Sequence, residues 1–120
     1  MSLPVVFEDG RLKLEVKYES SRVSVKWLGE SKEREPIRFI SSVFEQIYEK
    51  DNHSPLYLDF TDLEYMNSST VTPIVKQLEK AKKENRKITV VFRKSLKWQE
   101  LSFSALKVFS IPEKVEIIGL

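Results

Sequence analysis

The chain has 120 residues, and 20 lysines and arginines against 18 aspartates and glutamates give a formal net charge of +2. That length holds one hydrophobic core, so residues 1–120 are read as a single domain. Apolar residues at 41% with 11% aromatic exclude a disordered chain. With no cysteine, a disulfide scaffold, a thiolate metal site and a cysteine nucleophile are excluded, and the single histidine, His53, leaves little for a zinc site or a Ser–His relay.

The first ten residues lack a basic start followed by an apolar run, so no secretory signal is read there. No stretch approaches the ~20 apolar residues that span a bilayer. The expected location is the cytoplasm, without membrane contact. Leu12, Leu14, Val16 and Tyr18 alternate with charged residues, which predicts a half-buried strand. Glu19-Ser20-Ser21-Arg22 reads as a turn, and Val23, Val25 and Trp27 alternate again, so the two segments form an antiparallel hairpin. Glu8-Asp9 is placed before the first strand.

Pro36 suits a first helical turn. Ile37, Ile40, Val43, Phe44, Ile47 and Tyr48 then recur at steps of three and four on one helical face. The run from Asp51 to Pro55 breaks that helix, and His53 is an exposed loop residue within it. Leu56-Tyr57-Leu58-Asp59-Phe60 is a strand. A second helix is expected near 68–85, with Val71, Ile74, Val75, Leu78 and Ala81 inward. Residues 88–92 form a strand apolar enough for burial on both faces. Ser95 is the expected cap of a third helix, with Trp98, Leu101, Ala105, Leu106 and Phe109 inward. Residues 115–118 make the last strand. Alternation after the hairpin implies right-handed crossovers and a mixed, mainly parallel sheet with helices packed on it, an α/β fold.

Leu56 to Asn85 is the most informative stretch. A strand ending in acidic residues leads to Tyr65-Met66, then to Asn67-Ser68-Ser69-Thr70 and a helix. Ser68 or Ser69 is a natural cap, and a start at Thr72 with Pro73 in the first turn is the other register. Hydroxyls at such a position lie where backbone N–H groups and the helix dipole favour an anion. By itself the stretch also reads as a loop that merely starts a helix.

The same stretch resembles the STAS family, to which bacterial anti-sigma factor antagonists belong. Leu58-Asp59 stands where those domains end a strand in Leu-Asp, and Met66-Asn67-Ser68-Ser69-Thr70 where they carry an Asp-Ser-Ser-Gly loop. Residues 87–92, 101–106 and Phe109-Ser110-Ile111 follow the family's later elements. The resemblance implies a non-catalytic regulatory domain without metal or cofactor. Its first loop serine, matched by Ser68, is phosphorylated by a partner serine kinase. The unmodified form binds an anti-sigma factor or related regulator, and a phosphatase reverses the mark. Asp62, Tyr65, Met66, Asn67, Ser68, Ser69 and Thr70 are the expected partner-binding residues, with Tyr65 and Met66 exposed as apolar contacts. Asn67 replaces the usual aspartate and removes a charge beside the acceptor. Thr70 replaces the usual glycine, and its β-carbon is strained if the backbone there needs positive φ. A constitutive scaffold on the same fold, never phosphorylated, is the alternative.

Charge is uneven along the chain. Residues 44–66 hold Glu45, Glu49, Asp51, Asp59, Asp62 and Glu64 against Lys50, whereas residues 76–97 hold nine bases against Glu79 and Glu84. Lys76, Lys80, Lys83 and Lys87 are read as one solvated helical face, with a Glu79–Lys83 pair. No nucleic-acid module is legible, because aromatics do not interleave with the bases. Asp59 and Lys94 admit a receiver-like phospho-aspartate reading, but no early acidic pair completes it. There is no glycine-rich phosphate loop.

Overall fold

The structure is a computed structural model that describes residues 3–120, so the first two residues of the stretch read for a signal lie outside the described residues. It opens with three strands, β1 (Val5–Asp9), β2 (Leu12–Tyr18) and β3 (Val23–Ser31). Helix α1 (Pro36–Lys50), β4 (Leu56–Asp59) and β5 (Leu63–Met66) follow, then α2 (Val71–Lys83), β6 (Ile88–Phe92), α3 (Lys97–Ala105) and β7 (Val115–Gly119). One sheet contains all seven strands in the order β1-β2-β3-β4-β6-β7, and β5 also pairs with β3. The β2–β3 hairpin is antiparallel and the β3–β4, β4–β6 and β6–β7 pairs are parallel, as the sequence implied. No helix among the described residues is long and apolar enough to cross a membrane.

Two strands escaped the pattern. β1 contains Glu8 and Asp9, which the sequence reading placed before any strand, and it adds an antiparallel edge to β2. Its Val5 and Val6 are both exposed and Phe7 alone of its apolar residues packs on the core, so this edge strand shows no period of two. β5 contains Tyr65 and Met66, which were read as loop. It pairs in parallel with the last residues of β3, beyond the reach of β4.

Each parallel crossover steps one strand further in the same direction. Right-handed crossovers of that kind place all three helices on one face of the sheet. Leu12, Leu14 and Val16 of β2 and Val23, Val25 and Trp27 of β3 turn toward that layer, while the residues between them turn away. Helix α1 buries Ile40, Val43, Phe44 and Ile47, and α2 buries Ile74, Leu78 and Ala81, as their spacing predicts. An aromatic row crosses the core from Tyr48 through Phe44, Trp27, Phe60 and Phe103 to Phe92, with neighbouring centroids 4.5–6.5 Å apart. The lysine row is shorter than expected. Lys80 pairs with Glu84 at 2.6 Å, α2 ends before Lys87, and Lys87 meets Glu116 at 3.4 Å.

Helix α3 is rotated from its expected face. Leu96, not Ser95, precedes its first residue. Gln99, Phe103 and Leu106 are buried, Trp98 and Phe109 are half-buried, and Leu101 and Ala105 face out. The cause is Gln99. Its Nε2 donates to the carbonyl oxygens of Phe60 (2.7 Å) and Leu63 (2.9 Å), and its Oε1 accepts from the Arg93 N–H at 2.7 Å. Those two carbonyls flank the β4–β5 turn; the Phe60 carbonyl already accepts from the Leu63 N–H at 3.0 Å, and the glutamine adds a second bond there and pairs the Leu63 carbonyl, which buried and unpaired would be costly. One glutamine therefore orients the whole helix.

At the opposite end of the sheet, Asn85 at φ 55° ends α2 in a left-handed turn, and the Arg86 N–H closes onto the Ala81 carbonyl at 2.8 Å. The buried Arg86 side chain donates from Nε to the Ser54 carbonyl (2.6 Å) and lies 3.7 Å from Asp51. Burial pushes the Asp51 carboxyl up, but bonds from the Ser54 hydroxyl and from the Ser54 and His53 N–H groups outweigh it and hold the carboxyl at about 2, below its ordinary 3.8. His53 itself is exposed.

Gly29 sits at φ +80°, where β3 changes partner from β4 to β5. A β-carbon there would run into the Arg11 carbonyl oxygen. Gly29→Ala is expected to lower stability by about 1–3 kcal/mol through strain and collision, read from urea unfolding. The depressed Asp51 carboxyl contributes stability above pH 3.8 that is lost as pH falls through about 2. Asp51→Asn should thus cost about 2 kcal/mol at neutral pH and flatten the acid limb of a stability–pH curve between roughly pH 4 and 2. An acid limb unchanged by the substitution would contradict this assignment.

Candidate functional site

The loop at residues 67–70 is built on the end of β3. The Asn67 N–H donates to the Ser31 carbonyl at 3.0 Å and so extends the β3–β5 ladder by one bond. Asn67 itself is extended, with φ −82° and ψ 170°. Ser68, Ser69 and Thr70 then form a 3-10 turn, in which the Thr70 N–H meets the Asn67 carbonyl (3.1 Å) and the Val71 N–H meets the Ser68 carbonyl. Helix α2 starts directly from this turn. Neither serine side chain makes the capping bond expected of it, and Pro73 is the third helical residue. Backbone carbonyls, rather than hydroxyls, start the helix.

A chain of polar side chains holds the turn from beneath. Ser31 is buried at the end of β3, and its Oγ lies 2.7 Å from Thr70 Oγ1. The Thr70 hydroxyl donates to Asn67 Oδ1 at 2.8 Å. A threonine hydroxyl has one proton, so Ser31 must be the donor to Thr70. Asn67 Nδ2 donates to the Glu33 carbonyl at 3.0 Å. The amide of Asn67 is thereby used on both sides, with its oxygen toward Thr70 and its nitrogen toward the β3–α1 connection.

These bonds account for both departures from the family pattern. Thr70 has φ −75° and ψ −23°, an ordinary right-handed conformation, so the expected strain from a β-carbon is absent. Its methyl and hydroxyl fill a fully buried place that a glycine would leave empty. Asparagine at 67 supplies a donor that aspartate lacks, and a carboxylate there would set an oxygen against the Glu33 carbonyl.

Not all the expected partner-binding residues come together. Ser68 and Ser69 are exposed side by side, and Asn67 is half-buried beneath them. Tyr65, 44% exposed, lies beside Asn67, with the Lys32 ammonium 5.9 Å from its ring centroid. Glu30, Lys32, Tyr65 and Asn67 line one open depression. Met66 was expected to be exposed, but the register of β5 shifts between Leu63 and Tyr65, and past that irregularity Met66 turns into the core like Leu63. Thr70 is buried and supports the loop without facing out. Asp62 lies at the far end of β5, about 13 Å of strand from the serines. It pairs there with Lys26 at 3.1 Å and Arg93 at 3.0 Å. The hydrogen bond and charge of Asp62 hold Lys26 above its ordinary value. The receiver-like residues have other partners: Asp59 accepts from the Thr61 N–H and hydroxyl (2.9 and 2.6 Å), and Lys94 lies against Gly119. Ser31 and the Glu33 carbonyl were not anticipated, because the alternation that marks β3 stops at Trp27. Gly29 inside a strand was the available sign of a bulge and a longer strand.

No protein-family model matches the chain, and no curated protein matches it. Solved structures do. SiaC of Pseudomonas aeruginosa is similar at a TM-score of 0.65 and 20% identity, over 100% of both chains. SiaC from the same organism, in complex with the diguanylate cyclase SiaD that it activates, gives 0.65 at 14% identity, covering 97% of this chain and 99% of that one. An anti-sigma factor antagonist from Mycobacterium paratuberculosis gives 0.59 at 18% identity, covering 88% and 85%. At these identities the likeness concerns the fold, and the fold is the STAS-like one that the sequence resemblance implied.

Thr70→Val keeps the shape of the buried residue but strands Ser31 and Asn67, and is expected to cost about 1–2 kcal/mol in urea unfolding. Ser31→Ala should cost a similar amount. The double variant should cost clearly less than the sum, because both changes break one chain of bonds. Additive losses would show that the chain does not act as a unit.

Proposed function

We propose that the chain is a regulatory protein-interaction domain of the anti-sigma factor antagonist type. It docks a partner protein through the loop at 67–70 and is switched by phosphorylation of Ser68 by a partner serine kinase, with a phosphatase restoring the docking form. The observation that carries this reading is the contrast within one turn. Ser31, Asn67 and Thr70 are tied to one another, while Ser68 and Ser69 are exposed and stand outside that chain of bonds. A phosphate on Ser68 would add about −1.5 to −2 charge without breaking any bond that holds the loop. Its effect would fall on the docking surface, where a partner shaped for a neutral hydroxyl meets a charge. In this reading the domain acts by contact, with no cofactor and no catalysis of its own. The fold's relatives support the class. One is named as an activator bound to its enzyme, and another as an antagonist of an anti-sigma factor.

A second reading keeps the loop as a constitutive docking surface that is never modified. It is favoured by Asn67, whose amide nitrogen and oxygen both hold the turn and bring no charge beside Ser68. Incubation with ATP and candidate serine kinases, followed by peptide mapping, should find phosphate on Ser68. Ser68→Asp should weaken partner binding at least about tenfold with an unchanged melting temperature. Phosphate elsewhere with Ser68 bare would sink the switch, and full binding by the Asp variant would favour the constitutive surface.

A further inference from the structure

The rotation of α3 leaves an apolar stripe without cover. Trp98, Leu101, Ala105 and Val108 follow one another at steps of three, four and three, which places them along one ridge of the helix and its last turn. Trp98 is half-buried, Ala105 faces out, and Leu101 and Val108 are 66% and 80% exposed. The ridge ends at a groove of about 380 Å³, lined on the α2 side by Leu78, Glu79 and Lys82 and after α3 by Val108, Phe109, Ser110 and Ile111. An apolar ridge running into a groove of mixed apolar and polar lining is a shape that receives an amphipathic helix.

The rim decides which helix. Residues 93–114 carry five bases against Glu100 and Glu113. Of the five, Lys97 and Lys107 flank the ridge and form no ion pair among the described residues, while one carboxylate oxygen of Glu100 is buried and turned from the surface. Apolar anchors beside cations that have no carboxylate partner among the described residues, Lys107 lying 5.7 Å from the Phe92 ring centroid, are complementary to apolar anchors beside carboxylates. A second copy of this chain does not supply them. Its acidic helix α1 buries its own apolar face and presents Arg38, Ser42, Glu45 and Glu49 outward. Two flanking lysines also fall short of the clusters of about four to eight bases that hold anionic lipid.

We infer that the outer face of α3 is a second docking surface, and that its occupant is an acidic amphipathic helix of a partner protein. This surface stands apart from the Ser68 loop and does not depend on the switch.

The test is a selection of helical peptides displayed on phage against the full chain. Intrinsic fluorescence gives the affinities: Trp98 lies on the ridge, and the buried Trp27 does not sense it. The enriched peptides should carry apolar residues at steps of three and four with aspartate or glutamate between them, and their binding should weaken as salt rises. The double variant L101E/V108E should lose at least about tenfold in affinity, and Ser68→Asp should lose none. Both replaced side chains are exposed, so the variant is expected to fold, which circular dichroism checks. Failure to enrich any peptide, enriched peptides without acidic residues, or full binding to L101E/V108E would overturn the proposal. A dimer in sedimentation that the double variant abolishes would give the face to a second copy. Binding to phosphatidylserine vesicles lost in the same variant would give it to lipid. Either result also overturns the proposal.

Discussion

Strand β3 is longer than its parallel neighbour β4, and the residues by which it overshoots carry backbone groups that must be paired. Most of what is particular to this molecule follows from that requirement. The chain leaves β4, turns, and lays down β5 along the remaining edge of β3. The change of partner is absorbed at Gly29, the one residue there that can take the left-handed conformation with its flank against the Arg11 carbonyl. Because β5 ends where β3 ends, Asn67 arrives beside Ser31, and the turn that starts α2 is fixed to the end of the sheet.

The tight turn between β4 and β5 creates a second demand, since the Leu63 carbonyl is buried there and the Leu63 N–H already uses one lone pair of the Phe60 carbonyl. Gln99 meets it from across the molecule. Position of the loop and rotation of α3 are therefore linked through the same short strand. The apolar core does the rest by non-directional packing, and the polar side chains decide registers and angles. Arg86 and Asp51 act in the same way at the other end of the sheet, tying the exits of α1 and α2 to the start of β4.

The sequence was readable where one force dominated. Alternation exposed β2 and β3, and steps of three and four exposed α1 and α2, because those residues sort only by burial. It failed where a backbone hydrogen bond overrode that sorting. The stretch holding β5 is too short, and too dependent on β3, to show a period. In α3 the residue at the centre of the inner face is polar, so the apolar ridge of Trp98, Leu101 and Ala105 pointed the reading to the wrong side. The serine loop was legible as a helix start in its composition. Its support was not, because Ser31 and Asn67 are brought together only by a pairing between distant strands. The same distance hid the fate of Met66 and Asp62, which the register shift and length of β5 turn inward or carry away from the serines.

The first three strands form a meander from short turns and can assemble from contacts near in sequence. The pairing of Gly29 with Leu63 instead closes a loop of more than thirty residues that includes the whole of α1. Closing long loops costs more chain entropy, and such contacts are late to form when a protein folds. The serine turn thus has no existence in a half-folded chain, since its supports arrive only with that closure. Docking at this turn, as proposed, would therefore require a completed sheet, so that a half-folded copy would present no surface to a partner.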